Sequence, residues 1–310
     1  MQQTSFSLGG LWLPLVTPFL DGELDDVSFH RLIEFYLGEK LDGLIVAATT
    51  GEGLTLGDDE LSRLCVLAAG AVQGRIPVFL GLAGSDTARL AAMVERTAAW
   101  PVDGYLVTCP YYSRPSQQGL FDHFAALAGR TERPMALYNI PYRTGVNLLN
   151  ETLIALADIA NIVGLKDCCA DPAQSFDLIR RKPAGFAVMT GEDAQFYNAL
   201  VHGADGAILA SAHVETDKFA AVGRLLTAGD RIGALNQWCA ITDLTRLLFE
   251  EPSPGAIKHW LWRQGLIRSA ELRLPMTCVS PALADRIDRA MAACGVVPVA
   301  ASAGQGALRG

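Results

Sequence analysis

The sequence predicts an α/β fold, a (β/α)8 TIM barrel with a C-terminal helical extension. Three observations support this fold class. Eight short apolar runs have the continuous hydrophobicity of parallel strands that are covered on both faces. Amphipathic helical patterns lie between these runs, as in successive βα units. The repeat of roughly 25–30 residues per unit suits a closed barrel, which takes about 250 residues.

Each predicted strand is rich in Leu, Ile, Val and Ala and lacks the alternation of a sheet that has one face in water. Such strands need a layer of helices outside and a packed barrel interior inside, which fits the predicted fold. The eight runs begin at Leu11, Gly43, Pro77, Gly104, Pro134, Asn161, Gly185 and Gly206.

The predicted helices fill the intervals between these strands. Between the second and third strands, apolar residues from Leu61 to Val72 recur at steps of three and four and form one apolar face. Asp86 and Asp171 are typical of helix starts because their side chains can cap a helix, and Asp171 is followed by an early proline. Further helical patterns occupy 29–37, 90–98, 120–127, 153–157 and 176–179.

The C-terminal part of the chain is predicted to be helical. No strand pattern follows Phe219, and helical patterns include about 254–264 and 281–293. We therefore expect residues 1–225 to form the catalytic barrel and residues 226–296 to form a C-terminal helical region. The last segment, 297–310, consists mostly of small residues, so we expect a flexible tail there.

The composition limits the partners that the protein can have. The 310 residues are 50% hydrophobic and only 19% charged, which is enough apolar sequence for a large core. The net charge of −8 argues against a surface for nucleic acid or for an anionic membrane. No apolar run is long enough to span a bilayer, so we expect no membrane partner.

The cysteines and histidines form no recognisable disulfide or metal framework. Seven cysteines with irregular spacing indicate reduced thiols in a cytoplasmic protein. The N-terminus also lacks the basic and apolar regions of a signal peptide. The five scattered histidines include no HExxH motif, so we expect no metal site.

Polar residues follow several predicted strands at the C-terminal end, where the active site of a barrel enzyme lies. The segment "TTGEG" follows the second strand, "PYYSRPS" the fourth and "YNIPYRTG" the fifth, and the sixth strand ends in a lysine. The residues that we expect to meet there are Thr49, Thr50, Gly51, Tyr112, Tyr138, Arg143 and Lys166.

Lys166 ends an apolar strand, and its position allows two interpretations. Burial of an ammonium is costly and lowers its pKa, which would give a free amine able to form a Schiff base with a ketone. Alternatively, Lys166 merely emerges at the strand end and pairs with Asp167. The adjacent Cys168 and Cys169 are rival nucleophiles, but no histidine lies close in sequence to favour a thiolate. We expect both cysteines to be small packing residues under the next helix.

The other candidate residues suit proton transfer and anion binding. A phenol such as Tyr138 can relay the protons of imine formation, and the Thr49 hydroxyl can link two phenols. A half-buried tyrosine with a satisfied hydroxyl is the simpler alternative for Tyr138. Arg143 offers a planar fork to a carboxylate, although a lone loop arginine is more often a surface ion pair.

Four motifs, in this order and at this spacing, resemble those of the dihydrodipicolinate synthase / N-acetylneuraminate lyase family of pyruvate-handling class I aldolases. The motifs are "TTGE", "PYYSRPSQQGL", "YNIPYRTG" and "GLKD", and the resemblance extends from Leu13–Phe19 to Leu272–Met276. It implies a (β/α)8 barrel that forms a homotetramer of tight dimers. It also implies that no cofactor or metal is needed.

The resemblance implies a role for each candidate residue. Lys166 would form the Schiff base with pyruvate, and Tyr138 would carry protons to and from it. Thr49 and Tyr112 would complete the proton relay, with Tyr112 reaching into the site of the neighbouring subunit. Thr50 and Gly51 would hold the pyruvate carboxylate. The residue that would line the pocket beside the imine is Ile208.

An arginine at the position of Arg143 is typical of the synthases of this family, where it binds the carboxylate of the aldehyde co-substrate. The implied reaction condenses pyruvate with L-aspartate-4-semialdehyde to 4-hydroxy-tetrahydrodipicolinate, in lysine and diaminopimelate biosynthesis. One alternative is an aldolase or dehydratase that acts on a 2-keto-3-deoxy sugar acid or a related 2-oxo acid. A third hypothesis is a non-catalytic sensor of a 2-oxo acid.

The resemblance also bears on feedback control. Lysine-sensitive bacterial relatives tend to have two histidines and a glutamate at the positions of Asp58, Leu61 and Arg89. An arginine that faces the ammonium of a bound lysine would repel it. We therefore expect inhibition by lysine to be weak or absent.

Overall fold

A computed structural model of the chain describes residues 6–296, which form ten strands and twelve α-helices. Eight of the strands are parallel and close into a barrel, so the predicted fold class is confirmed. All eight predicted strands are present. The barrel strands are β1 Gly10–Pro14, β4 Gly43–Val46, β5 Val78–Leu82, β6 Gly104–Thr108, β7 Met135–Asn139, β8 Ile162–Asp167, β9 Ala187–Thr190 and β10 Gly206–Ile208.

The helices surround the barrel in the predicted order. Asp86 accepts hydrogen bonds from the N–H groups of Ala88 and Arg89, and Asp171 caps its helix at Ala173, so both predicted helix starts are confirmed. The helices are α1 Asp26–Gly38, α2 Asp58–Val72, α3 Thr87–Arg96, α4 Gln117–Ala128, α5 Pro141–Thr144, α6 Asn150–Leu156, α7 Pro172–Arg181, α8 Phe196–Val201, α9 Thr216–Thr227, α10 Arg231–Leu247, α11 Gly255–Arg263 and α12 Pro281–Ala293.

The short elements that were not predicted from the sequence include a hairpin and a one-turn helix. The strands β2 Phe19–Leu20 and β3 Glu23–Leu24 form an antiparallel hairpin. Asp21 and Gly22 both have positive φ, at 54° and 85°, as the tight turn of a hairpin requires. Helix α5 is a single turn that begins at Pro141, a residue whose fixed φ favours the first helical position.

The apolar residues pack in two layers. One layer lies between the strands and the surrounding helices, and the other fills the inside of the barrel. The inside layer, which we call the inner cluster, consists of Leu8, Trp12, Ile45, Ala48, Phe79, Leu106, Ala136, Tyr138, Ile140, Val163, Cys168, Ala187, Met189 and Ile208. Because each strand is covered on both faces, its sequence is continuously apolar rather than alternating.

The C-terminal region is helical, as expected, and contacts the barrel. Helix α9 ends at Thr227, so the predicted boundary after residue 225 falls within the last helix of the barrel. The predicted flexible tail, 297–310, lies outside the described residues. Within residues 6–296, no helix combines the length and apolarity that crossing a membrane would require.

Candidate active site

Residues at or next to the ends of three neighbouring strands lie side by side at the C-terminal end of the barrel. Thr108 on β6 pairs with Tyr138 on β7, and Tyr138 pairs with Lys166 on β8. The Lys166 Nζ atom lies 4.4 Å from the centroid of the Tyr138 ring. Both side chains are buried. The predicted amine and phenol are therefore direct neighbours.

Lys166 has no acidic partner in the part of the chain that the structure describes. The carboxylate of Asp167 accepts hydrogen bonds from the Ser175 hydroxyl at 2.5 Å and from the Cys169 N–H at 2.9 Å. The interpretation that Lys166 pairs with Asp167 is therefore wrong. Burial lowers the pKa of Lys166 from 10.5, because the ammonium loses its hydration. An unpaired, desolvated amine of this kind can act as a nucleophile.

The phenol of Tyr138 is neutral. Burial raises its pKa well above 10, and the next largest effect is the neighbouring thiol of Cys168. The Tyr138 oxygen lies 3.9 Å from Cys168 Sγ, which is a weak S–H donor. A neutral phenol can both give and accept a proton, so it suits a relay between the amine and a substrate oxygen.

Cys168 lies inside the barrel, so the expectation that it packs under the next helix is wrong. Cys168 belongs to the inner cluster, and burial raises its pKa to about 12. Side chains two apart on a strand share a face, so Cys168 follows Lys166 into the barrel. Cys169 is only partly buried, at the turn beyond the strand. Because the Cys168 thiol stays protonated, the available nucleophile at this end of the barrel is the amine.

Gly191 makes room for both of these side chains. A Cβ atom at this position would lie 2.5 Å from Lys166 Cε and 2.6 Å from Cys168 Sγ. Any larger residue would displace the amine, which explains a glycine directly after strand β9. Sequence analysis did not single out Gly191 as a site residue.

The "TTGEG" loop after β4 is a tight turn. A Cβ atom at Gly51 would lie 2.8 Å from the Leu15 carbonyl oxygen, so only glycine fits there. The Gly51 carbonyl accepts a hydrogen bond from the Thr17 hydroxyl at 2.7 Å. Thr50 is buried, whereas Thr49 is exposed and lines a large cavity. The Thr49 hydroxyl has no hydrogen-bond partner among residues 6–296.

This cavity has a volume of about 820 Å³ and opens at the C-terminal end of the strands. Arg143, on helix α5, lines it, and its guanidinium makes no ion pair or hydrogen bond with any described residue. The neighbouring Tyr142 donates a hydrogen bond to Glu192 at 3.3 Å. The cavity therefore contains an unpaired cation that an anionic substrate group can reach.

Two of the three positions considered for lysine binding line the same cavity. Leu61 and Arg89 line it, whereas Asp58 makes an ion pair with Arg96 at 3.0 Å. The Arg89 guanidinium lies 3.5 Å from the Asp86 carboxylate. The expectation of weak lysine inhibition stays a prediction.

Tyr112 is exposed to solvent, whereas Ile208 is buried inside the barrel. Ile208 is buried in the inner cluster at the end of strand β10, together with Tyr138. The side chain of Tyr112 is 95% exposed, and its φ is 70°. Within one chain, the Tyr112 hydroxyl forms no hydrogen bond with the other candidate residues that the structure describes. The structure therefore brings together Lys166, Tyr138 and Ile208, and it does not bring Tyr112 to them.

Glu52 is a further buried residue of this loop that sequence analysis did not identify as important. Its carboxylate forms an ion pair with Lys258, and neither side chain has more than 1% of its surface exposed. The two residues are 206 positions apart, so no local pattern links them. No group of three or more His, Cys, Asp or Glu side chains within residues 6–296 is placed to hold a metal ion.

Comparison with known proteins adds a family to this geometry. The model of the dihydrodipicolinate synthetase family matches residues 7–293. A similar curated protein is 4-hydroxy-tetrahydrodipicolinate synthase 2 of Clostridium acetobutylicum, which is 38% identical over 280 residues. The match covers 90% of this chain and 98% of the relative.

Solved structures of dihydrodipicolinate synthases have the same fold. The enzyme of Acinetobacter baumannii, complexed with pyruvate, is 31% identical and matches with a TM-score of 0.89 over 93% of this chain and 99% of that chain. The enzyme of Cyanidioschyzon merolae with lysine bound is 32% identical and matches with a TM-score of 0.90 over the same two fractions.

Proposed function

The chain belongs to the dihydrodipicolinate synthetase family, and we propose that it condenses pyruvate with L-aspartate-4-semialdehyde to give 4-hydroxy-tetrahydrodipicolinate. It would act as a class I Schiff-base lyase in lysine and diaminopimelate biosynthesis. The observation that carries the proposal is the buried Lys166 amine, which has no acidic partner among residues 6–296 and lies 4.4 Å from the Tyr138 ring.

The chemistry follows from these two side chains. The free amine of Lys166 attacks the ketone carbon of pyruvate, and the carbinolamine loses water to form a protonated imine. The imine withdraws electrons, so the methyl carbon loses a proton and becomes an enamine nucleophile. Tyr138 transfers protons to and from the departing oxygen and the carbon. The protonated imine is the electron sink, so the reaction needs no cofactor.

Binding of the two substrates would involve residues in the cavity lining and residues next to it. Thr49 and Arg143 line the cavity, whereas Thr50, Gly51 and Ile208 are not part of its lining. The pyruvate carboxylate would contact Thr50 and the backbone at Gly51, while Ile208 would form the apolar wall beside the imine. The unpaired guanidinium of Arg143 would bind the carboxylate of the aldehyde, which supports an acidic co-substrate over a neutral one. Thr49 would connect Tyr138 to a second phenol.

We propose that this second phenol is Tyr112 of a neighbouring subunit in a homotetramer of tight dimers. An almost fully exposed tyrosine with a left-handed backbone is costly in an isolated chain, and an interface would explain it. The neighbouring subunit would thus complete each relay. No nucleic acid or membrane partner is proposed, in keeping with the charge of −8.

We also propose a role for each of the two regions of the chain, and a cellular location for the protein. The predicted catalytic barrel of residues 1–225, extended to the end of helix α9 at Thr227, would carry the catalysis, and the helical region that follows it to residue 296 would support it. All seven cysteines are free thiols, and such a set fits a reducing, cytoplasmic environment.

A coupled assay separates the proposed reaction from its alternatives. Pyruvate and aspartate semialdehyde should give product that dihydrodipicolinate reductase converts with consumption of NADPH. No turnover with the semialdehyde, together with cleavage of a 2-keto-3-deoxy sugar acid, would favour the alternative aldolase or dehydratase. A protein that binds a 2-oxo acid but gains no mass after borohydride reduction would be a sensor.

A further inference from the structure

A buried ion pair joins the loop after β4 to the C-terminal helical region. Lys258 Nζ donates a hydrogen bond to Glu52 Oε1 at 2.5 Å, and the other carboxylate oxygen accepts one from the Arg273 N–H at 3.0 Å. These partners lie 206 and 221 positions further along the chain. Both oxygens of a single loop carboxylate are therefore held by the C-terminal region.

Lys258 also contacts a backbone carbonyl and an aromatic ring. Its Nζ atom donates a second hydrogen bond to the Glu271 carbonyl oxygen at 2.7 Å and lies 4.3 Å from the centroid of the Phe19 ring. None of its side-chain surface is exposed. The ammonium is thus fixed between the hairpin, helix α11 and the segment after that helix. Unlike Lys166, it is paired with a carboxylate.

The loop that Glu52 belongs to contains the residues proposed to bind pyruvate. Glu52 directly follows Gly51 and has φ of 53°, a left-handed conformation that non-glycine residues rarely adopt. Its N–H donates a hydrogen bond to the Thr49 carbonyl oxygen at 3.1 Å. A backbone conformation of this kind persists where surrounding contacts stabilise it, and the hydrogen bonds of the buried carboxylate are among these contacts.

A contribution to stability alone does not explain this pair. Replacing a buried ion pair with apolar or neutral groups of similar size is often neutral or stabilising, because desolvation offsets the attraction between the charges. Ser253 and Pro254, which directly precede helix α11, line the same cavity as Thr49. The pair therefore connects two walls of the cavity.

We infer that Glu52 and Lys258 are positioning residues that hold residues 49–51 in the conformation that binds the pyruvate carboxylate. This inference rests on the proposed function, since it assigns a role within the same site. Neither side chain forms a hydrogen bond or ion pair with Lys166 or Tyr138. Their effect passes through the backbone of the loop to Thr50 and Gly51.

The test compares two double variants of the full-length protein. Glu52→Gln/Lys258→Met removes both charges together and leaves no unpaired buried ion. Asp25→Asn/Arg268→Met is the control, because this ion pair also involves a buried carboxylate but joins the C-terminal segment to the start of helix α1 instead of to the loop. The readouts are the pyruvate concentration for half-maximal borohydride trapping and hydrogen–deuterium exchange of the peptide covering residues 47–56.

In the Glu52→Gln/Lys258→Met variant, we expect half-maximal trapping to require about 10- to 100-fold more pyruvate, as for a misplaced binding group. Residues 47–56 should exchange faster than in the parent. The control variant should match the parent in both respects. A folded variant that matches the parent in half-saturation and in exchange would overturn the inference.

The test also covers two other outcomes, a double variant that does not fold and a parent protein that traps no pyruvate. If the double variant does not fold, Glu52→Asp keeps the charge pair but shortens the connection by one methylene, and we expect the same direction of change. Glu52→Asp with parental half-saturation and exchange would then overturn the inference. If the parent itself traps no pyruvate, the proposed function fails, and the positioning role is then tested by hydrogen–deuterium exchange of residues 47–56 alone. Faster exchange in the variant than in the parent supports that role, and unchanged exchange overturns it.

Discussion

Tyr138 pairs with Lys166 across two adjacent parallel strands, which places the Lys166 Nζ atom 4.4 Å from the centre of the Tyr138 ring. The pairing needs no flexible loop, because both residues belong to the barrel itself. A rigid strand end is a precise place for a nucleophile and its proton donor. The predictions below follow from this arrangement and from the residues around it.

The Lys166 amine should react at a lower pH than an ordinary lysine. Burial lowers its pKa from 10.5, so half of the amine is already free at a pH below 10.5. We expect kcat/KM for pyruvate to rise with pH and to reach half of its maximum below pH 10.5. A midpoint at or above pH 10.5, in protein whose circular dichroism is unchanged, would contradict a desolvated amine.

Arg143 should affect the binding of aspartate semialdehyde and not the binding of pyruvate. Arg143→Met removes the only charge proposed to bind the aldehyde carboxylate, and hydrogen bonds to charged groups contribute about 1.5–3 kcal/mol. We expect KM for aspartate semialdehyde to rise about 10- to 100-fold. Pyruvate trapping should stay within about twofold of the parent, since that step precedes aldehyde binding. Arg89→Met is the control, because Arg89 lines the same cavity beside Asp86.

Tyr112 should act across a subunit interface. Tyr112→Phe and Lys166→Ala should each be nearly inactive alone. In mixed dimers, one site has both wild-type residues, so random assortment restores about a quarter of the sites. Activity after the two chains are unfolded and refolded together would support a shared site. Activity no greater than the sum of the separate variants, with mixed dimers demonstrated by mass spectrometry, would exclude it.

His213 should make the fold sensitive to mild acid. Its imidazole is buried, with Nε2 close to the Val16 N–H at 3.2 Å, and burial lowers its pKa to about 4. In the unfolded chain His213 therefore binds a proton as the pH falls through about 6.5, whereas in the folded chain it stays neutral until the pH approaches 4. Stability from this group is present above pH 6.5 and is lost as the pH falls from 6.5 towards 4.

Urea unfolding at two pH values measures this effect. Between pH 7 and pH 5, His213 should cost the parent about 2 kcal/mol of unfolding free energy. His213→Gln should lose correspondingly less over the same interval, although it starts from a lower stability. His202→Gln, at an exposed position, should keep the parental slope. Equal slopes in parent and His213→Gln would contradict a buried neutral histidine.

Much of the fold was predictable because the barrel strands and many of the helices have a local signal in the sequence. The barrel strands are continuously apolar, and helix caps such as Asp86 and Asp171 are visible in sequence. The hairpin around Asp21 and Gly22 was missed because two-residue strands leave almost no hydrophobic pattern. Its turn residues alone were the available signal.

The site was predictable where chemistry and strand position coincide, as at Lys166 and Tyr138. Cys168 was misplaced although strand periodicity puts residues 166 and 168 on one face, so closer attention to the period would have found it. The ion pair of Glu52 with Lys258 could not be found locally, since it spans 206 positions. The exposed Tyr112 cannot be understood from one chain, because its proposed partners belong to another subunit.

The most direct test of the account is to locate the pyruvate adduct after borohydride reduction and peptide mapping. The structure contains two buried lysines, and only Lys258 has a carboxylate partner among the described residues. We predict a reduced pyruvyl group on the peptide that contains Lys166, none on the peptide that contains Lys258, and none in Lys166→Arg. An adduct on another lysine, or turnover of pyruvate without an adduct on Lys166, would contradict the account.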